Sequence, residues 1–151
     1  MNHHPRRRLL LALLATALVP AIAGARPGPI EVVLYKNEAC GCCGKWAEHM
    51  QRSGFRVAAH NVQDLAGIRA RQRVPDAFGS CHTAVVAGYA IEGHVPADAV
   101  HRLLKEKPAG VIGLAVPGMP QGSPGMESPT PQRYEVIAFD AKGAGRVYER
   151  R

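Results

Sequence analysis

Four cysteines are the residues of this 151-residue chain whose types and spacing could do chemistry. Three of them, Cys40, Cys42 and Cys43, lie within four consecutive residues, and Cys81 is the fourth. Thiolates can exchange disulfides or bind soft metal ions. A bond between the neighbours Cys42 and Cys43 would close a strained ring and stabilise almost nothing, so the cluster is a poor structural staple.

The spacing distinguishes between these chemistries. Cys40 and Cys43 form a Cys-x-x-Cys pair, the arrangement of a disulfide oxidoreductase, but Cys42 beside them would scramble the product. A structural zinc site normally uses two Cys-x-x-Cys hooks, and Cys81 has no such partner. The arrangement of three thiols plus one therefore favours several ligands that converge on a soft metal ion.

Other soft or borderline donors accompany the cysteines. His82 follows Cys81 directly and could serve as a ligand or as a hydrogen-bond donor behind one. Met119 and Met126 carry thioether sulfur, which suits Cu(I), although both could equally be apolar plugs that hold a loop to the domain.

The remaining aromatic and histidine side chains favour structural roles. We expect His94 to be a turn or packing residue, and His49 to lie on a solvated helix face one turn beyond the thiols. His60 and His101 are expected at the surface, and Trp46 is expected to pack over the cysteine cluster.

The first 25 residues have the pattern of a secretory signal peptide. Arg6, Arg7 and Arg8 precede an apolar run over residues 9–19, and small residues follow at A-x-A spacing. The run is too short for a permanent membrane span. We therefore predict export to the periplasm, by the general or the twin-arginine route, and one mature domain over residues 26–151.

Export affects how charge and cysteines are interpreted. The net charge is +7, but three of the charges belong to the predicted signal and the others are scattered, which argues against nucleic-acid binding. With 46% hydrophobic and 21% charged residues, the chain can form a compact core. Two structural disulfides are the default for four cysteines in an oxidising compartment, and a disulfide-stapled module is therefore one alternative.

The elements that must position the cysteines alternate between strands and helices. We predict strands at residues 30–35, 55–62, 83–86, 89–92, 134–139 and 146–149, helices at 44–53, 64–73 and 96–107, and a Gly- and Pro-rich loop at 110–133. The order β-α-β-α-β-β-α with thiols after the first strand resembles the thioredoxin fold. In such a mixed sheet flanked by helices, the start of the third strand, with Cys81, faces the thiol turn; residues 134–149 add a C-terminal β-hairpin.

Five separated motifs occur in this order along the chain: CGCCGKW at 40–46, SCHTAV at 80–85, EGHVP at 92–96, GLAVPGMP at 113–120 and GSPGME at 122–127. Together they resemble the CopG-like family of periplasmic metal-binding proteins. The resemblance implies a thioredoxin-like fold, a role in copper resistance, and copper binding by the cysteine cluster, with a multinuclear thiolate site as one form. The sequence has Cys81-His82 where ordinary thioredoxins place a cis-proline, which weakens the case for general thioredoxin activity.

The leading hypothesis is a periplasmic protein of copper homeostasis that acts on copper ions and on other copper-handling proteins. Its Cu(I) ligands would be the four cysteines, helped by His82 or by Met119 and Met126. Oxidation of the thiols by Cu(II) would make it a copper oxidoreductase. The alternative is a thiol-disulfide oxidoreductase that acts through Cys40 and Cys43.

Overall fold

The computed structural model describes residues 28–151, so the predicted signal peptide lies outside the described residues. The described part contains seven strands, three helices and a short 3-10 turn. In chain order they are β1 (Glu31–Lys36), α1 (Gly41–Arg52), β2 (Arg56–Asn61), α2 (Leu65–Arg71), the 3-10 turn (Asp76–Phe78), β3 (His82–Val86), β4 (Tyr89–Glu92), α3 (Ala97–Glu106), β5 (Val111–Ala115), β6 (Glu135–Asp140) and β7 (Gly145–Arg150).

The strands form one mixed sheet in the order β2-β1-β3-β4-β5-β6-β7. β1 pairs parallel with β2, and β4 pairs parallel with β5; the other neighbours are antiparallel. The predicted fold class, a mixed sheet with helices and a C-terminal β6-β7 hairpin, is confirmed. The predicted order of the first seven elements is also observed.

The pairing of β1 with β3 brings the distant cysteines to one edge of the sheet. The two strands are antiparallel, and Lys36 at the end of β1 lies opposite His82 at the start of β3. The chain therefore leaves β1 toward Cys40 at the point where it enters β3 after Cys81.

Helix α1 begins three residues earlier than predicted. It starts at Gly41, with Cys40 as its N-cap residue, so that Cys42 and Cys43 lie in its first turn. Glycine is a weak helix former, and Gly41 and Gly44 obscure this start in the sequence. The helix buries Cys43, Trp46 and Met50, which share one face at helical spacing.

The prediction that residues 110–133 are a continuous loop was wrong, because β5 occupies the first part of the segment. Gly113 explains why the strand was missed, since glycine is depleted in strands. A Cβ atom at Gly113 would lie 2.3 Å from the Ala90 carbonyl oxygen and 2.4 Å from the Phe139 ring. The glycine is therefore required by close packing within the sheet. The segment from Val116 to Tyr134 has no helix or strand.

The main core contains fully buried side chains from helices and strands alike, including Leu34, Trp46, Met50, Leu103 and Leu114. Among residues 28–151, no helix has the length and apolar character needed to cross a membrane.

Candidate metal centre

The four cysteine sulfur atoms lie together at the N-terminus of α1, all within 4.8 Å of one another. Cys40 and Cys43 form a disulfide, and Cys42 and Cys81 are free thiols. The Sγ atom of Cys81 is 3.8 Å from that of Cys42 and 3.6 Å from that of Cys43. Cys42 Sγ is 3.5 Å from Cys40 Sγ. Cys81 is thus in contact with the cluster although it is separated from it by about forty residues of sequence.

His94 is a direct neighbour of this cluster. Its Nε2 atom lies 3.0 Å from Cys81 Sγ, and its Nδ1 atom lies 2.8 Å from the Pro124 carbonyl oxygen. Because a carbonyl can only accept, Nδ1 carries the proton and Nε2 presents a lone pair to Cys81. Burial lowers the pKa of His94, which favours this neutral form.

His82 also contacts Cys81, and its ring centroid lies 5.0 Å from that of His94. Its ring is fully buried, with Nδ1 at 3.4 Å from Cys81 Sγ and the ring centroid 4.6 Å from that of Trp46. Burial lowers the pKa of His82 to about 3, and the neighbouring His94 adds to the effect. Within the described part of the chain, its buried Nε2 atom has no hydrogen-bond partner. A buried polar atom without a partner is uncommon in folded proteins, and the ring nitrogen that faces Cys81 is Nδ1 rather than this atom.

Burial also acts on Cys81 itself. Desolvation, followed by the charge of Cys42, raises the pKa of Cys81 to about 12. The metal-free thiol is therefore protonated near neutral pH, and its S–H group donates to His94 Nε2. A metal ion bound at Cys81 must displace this proton.

The donor set fits a soft or borderline metal ion. Two groups of potential ligands share Cys81, one made of the four cysteines and the other of Cys81, His82 and His94. Neither group contains a carboxylate. Sulfur and imidazole donors suit Cu(I) and Zn²⁺, whereas Mg²⁺ and Ca²⁺ require oxygen ligands.

The loop between β5 and β6 covers part of the cluster. Gly125 packs against the first turns of α1, where an added Cβ atom would lie 2.7 Å from the Cys42 carbonyl oxygen and 2.8 Å from the Trp46 backbone nitrogen. Met126 is half-buried and lines an open groove of about 440 Å³ together with Cys42. Met119 is 52% exposed and does not line this groove.

The other aromatic residues have structural contacts. Trp46 is fully buried, and its indole N–H donates to the Val95 carbonyl oxygen at 2.9 Å. His49 is half-buried, and its Nε2 accepts a hydrogen bond from the Ala97 backbone N–H at 3.0 Å. This contact caps α3, so the expectation of a solvated His49 was wrong.

Two further histidines lie away from the cluster, on exposed or partly exposed surfaces. His60 stacks on Tyr35. His101 stacks on Phe55 and pairs with the Ser53 carbonyl oxygen.

His94 is the site neighbour that the sequence interpretation undervalued. The signal was present in the predicted hairpin, because β3 and β4 are antiparallel with Thr83 opposite Glu92. Extending that register by two residues places His94 opposite Cys81. A histidine beyond the end of the hairpin therefore had a predictable position.

The chain is similar to proteins whose names refer to copper resistance. Residues 78–126 match the family model described as a protein of unknown function, DUF411. The comparison with curated proteins gave no match. Two solved structures, named copper resistance protein CopG form 1 and form 2, are each 38% identical to this chain with a TM-score of 0.77. Each alignment covers 82% of this chain and 98% of the other. The chain therefore belongs to the CopG family of copper resistance proteins.

Proposed function

We propose that this protein binds Cu(I) in the periplasm through Cys40, Cys42, Cys43 and Cys81 and so contributes to copper homeostasis. The observation that carries the proposal is the position of Cys81 Sγ, within 4 Å of the sulfur atoms of Cys42 and Cys43 and 3.0 Å from His94 Nε2. Soft sulfur ligands select Cu(I) over hard ions. The copper resistance role named for the similar structures supports this choice of metal.

Additional ligands would complete the site around the thiolates. His82 Nδ1 and His94 Nε2 are imidazole nitrogens at 3.4 Å and 3.0 Å from Cys81 Sγ. Met126 is better placed than Met119 to contribute a thioether, because it lines the groove beside Cys42. Several thiolates that bridge neighbouring ions would allow a multinuclear site.

Anaerobic titration of the reduced domain, residues 26–151, with Cu(I) tests the proposal. We expect tight binding that Cys42→Ser weakens by at least about tenfold, since even the loss of a residue behind a metal ligand typically weakens binding by about 10- to 100-fold. Absence of tight binding, or a Cys42→Ser variant with unchanged affinity, would contradict the proposal. Met126→Leu and Met119→Leu form a matched pair, in which only Met126→Leu should weaken binding.

Copper reduction is a proposed second property of the same thiols. Oxidation of Cys40 and Cys43 to a disulfide releases two electrons and two protons, which would reduce two Cu(II) ions to Cu(I). The Cys40–Cys43 disulfide supports this pairing. Addition of two equivalents of Cu(II) to the reduced protein should yield two Cu(I) ions in a chelator assay, together with the loss of two thiols. Cys40→Ser should abolish the rapid formation of this disulfide, and undiminished reduction by the variant would exclude the mechanism.

Thiol-disulfide exchange with protein substrates is the alternative function. It is favoured by the Cys40–Cys43 disulfide at a helix N-terminus, where Cys40 is partly exposed and Cys43 is fully buried. Such an exposed sulfur can be attacked while its buried partner resolves the mixed disulfide. This function predicts catalysed reduction of a model disulfide substrate that survives Cys42→Ser and Cys81→Ser.

Periplasmic location is part of the proposal and rests on the signal pattern at residues 1–25. The copper would then be exchanged with other copper-handling proteins of that compartment. Cell fractionation and the intact mass of the mature protein test this part. Cleavage after Ala23 or Ala25 would support it, whereas an uncleaved cytoplasmic protein would exclude it.

A further inference from the structure

A buried ion pair contacts Ser80, the residue that directly precedes Cys81. Arg69 of α2 and Glu92 of β4 approach to 2.8 Å between Nε and Oε1. The Glu92 side chain is fully buried, and the Arg69 side chain is 22% exposed. Neither Arg69 nor Glu92 is a member of the two groups of potential metal ligands described above.

Both carboxylate oxygens of Glu92 accept hydrogen bonds. Oε1 accepts from Arg69 and also from the Ser80 backbone N–H at 2.7 Å, and Oε2 accepts from the Thr83 hydroxyl at 2.5 Å. All of these partners donate, which is the arrangement that a carboxylate requires and a protonated acid does not. Burial raises the pKa of Glu92, and the contacts with Thr83, Arg69 and Ser80 oppose the effect of burial.

Arg69 also forms a hydrogen bond with Ser80, the residue whose N–H is bound by Glu92. Its Nη2 group donates to the Ser80 carbonyl oxygen while its Nε group donates to Glu92. The ion pair thus binds both polar backbone groups of Ser80. The Ser80 carbonyl belongs to the peptide unit that carries the Cys81 nitrogen, and holding it fixes the direction in which Cys81 leaves the backbone.

Stability alone is a weak explanation for a charged pair in this position. Removing two charges from water is costly, and an apolar pair of similar volume is often as stable or more stable. A fixed ligand position, by contrast, needs directional bonds. Residues behind metal ligands orient the donors in this way, and their loss typically weakens metal binding by about 10- to 100-fold.

We propose that the buried Arg69–Glu92 pair holds the Ser80 peptide and thereby sets Cys81 Sγ against Cys42 and His94. Arg69 and Glu92 are positioning residues for the metal centre. The consequence for copper rests on the proposed function, whereas the consequence for the position of Cys81 can be measured without copper.

Arg69→Met tests this proposal, because methionine keeps an unbranched side chain but cannot donate a hydrogen bond. In the metal-free protein with the Cys40–Cys43 disulfide, NMR should show amide exchange at Ser80 accelerated by at least about tenfold. The strand amides of Val32 and Leu34 should show only the change that follows from global stability. The ring resonances of His94 should shift, because its Nε2 atom faces Cys81.

In the reduced protein, Cu(I) affinity should fall by about 10- to 100-fold in Arg69→Met. Arg56→Met is the matched control. Arg56 forms an exposed ion pair with Glu31, with 3.4 Å between Nη2 and Oε1, and this pair lies away from the cysteines. This control should leave Ser80 exchange, the His94 resonances and copper affinity unchanged.

Glu92→Gln provides a second variant if Arg69→Met fails to fold. The amide keeps the shape and one acceptor oxygen but loses the charge, so we expect changes in the same direction and smaller in size. A folded variant with wild-type exchange at Ser80 and unchanged His94 resonances would overturn the proposal. So would local opening at Ser80 with undiminished copper affinity. If the wild-type protein binds no copper, the proposed function fails, and the NMR measurements alone decide whether the pair positions Cys81.

Discussion

Cys81 is the residue at which the two halves of the candidate site meet. Its sulfur atom contacts the thiols of α1 on one side and imidazole nitrogens on the other. The Pro124 carbonyl selects the tautomer of His94 that turns a lone pair toward this sulfur. The chemistry of the site therefore depends on which groups share Cys81.

Replacing His94 should weaken copper binding without removing a thiol. His94→Gln removes the imidazole nitrogen that faces Cys81, and we expect Cu(I) affinity to fall by at least about tenfold. Anaerobic titration against a competing Cu(I) chelator measures the change. His101→Gln is the control, because His101 pairs with the Ser53 carbonyl and stacks on Phe55 away from the cluster. Equal affinities in the two variants would rule out ligation by His94.

Copper affinity should decrease as the pH is lowered. The pKa of Cys81 is raised to about 12, so the metal-free thiol holds its proton throughout the neutral range and copper must displace it. For each proton that the metal displaces, Cu(I) affinity should fall about tenfold when the pH is lowered by one unit. Titrations between pH 6 and 9, corrected for the chelator, give the slope, and Cys81→Ser should reduce it by one proton. An unchanged slope in that variant would contradict the assignment.

At the scale of elements, the loop between β5 and β6 packs against α1, and α1 in turn contacts the start of α3. The loop is held by Gly125 against α1 and by Pro124 against His94. α3 begins at Ala97 after Pro96, which has no capping side chain, and His49 of α1 provides the missing acceptor. These contacts connect the stability of each element to the shape of the site.

Gly125→Ala should displace the loop from α1. The added Cβ atom would meet the backbone at Cys42 and Trp46 at less than 3 Å, and the φ angle of +86° is unfavourable for alanine. We expect unfolding free energy to decrease by about 2–4 kcal/mol, from overpacking and backbone strain together. Gly118→Ala is the control, because it has φ +68° but open space, and should cost about 1 kcal/mol. Urea unfolding measures the unfolding free energies of the two variants. Equal decreases in unfolding free energy would contradict close packing of Gly125 against α1.

Acid should weaken the contact between α1 and α3. Burial lowers the pKa of His49, so the folded state favours the neutral ring that accepts from Ala97. The unfolded state takes up a proton below pH 6.5, the ordinary value. Stability from this residue is therefore present above that pH and lost as pH falls toward the lowered folded value, at up to about 1.4 kcal/mol per pH unit.

The variant His49→Gln distinguishes the contribution of His49 to the pH dependence of stability from the contributions of the buried histidines His82 and His94. His49→Gln retains an acceptor for Ala97 but does not titrate. Urea unfolding at pH values from 7.5 to 4.5 should show a smaller loss on acidification for this variant than for the wild type. Parallel curves for the two proteins would exclude the cap as the source of the pH dependence.

At the scale of the whole molecule, the site joins segments that are far apart in the sequence. The α1 N-terminus, the start of β3, the end of the β4 strand and the β5-β6 loop all contribute contacts. An ion that binds these segments in the folded state and not in the unfolded state must stabilise the whole fold.

Cu(I) should therefore raise the Tm of the reduced protein. At a free concentration of about 100 times Kd the expected stabilisation is about 2.7 kcal/mol per site. Anaerobic calorimetry measures the shift. Mg²⁺ at the same concentration is the control and should have no effect, because it requires oxygen ligands. A Tm that is unchanged by Cu(I) would indicate that the thiols do not bind it in the folded state.

Local patterns in the sequence were sufficient for most elements and for the identity of the thiols. Alternation and helical spacing predicted β1, β4 and α3 close to their observed bounds, because these segments have uninterrupted apolar patterns. β5 and the first turn of α1 were missed since Gly113 and Gly41 are weak formers of either structure. There, packing against neighbours overrides the local preference.

The sequence by itself determined the family, the fold class and a cysteine cluster suited to a soft metal. The tertiary structure decided which side chains surround Cys81, because those contacts depend on strand register and on the path of a loop without periodicity. His94 reaches Cys81 through the β3-β4 register, and Arg69 reaches Ser80 from a separate helix. Such contacts join residues that are distant in sequence, and no local pattern of residue types records them.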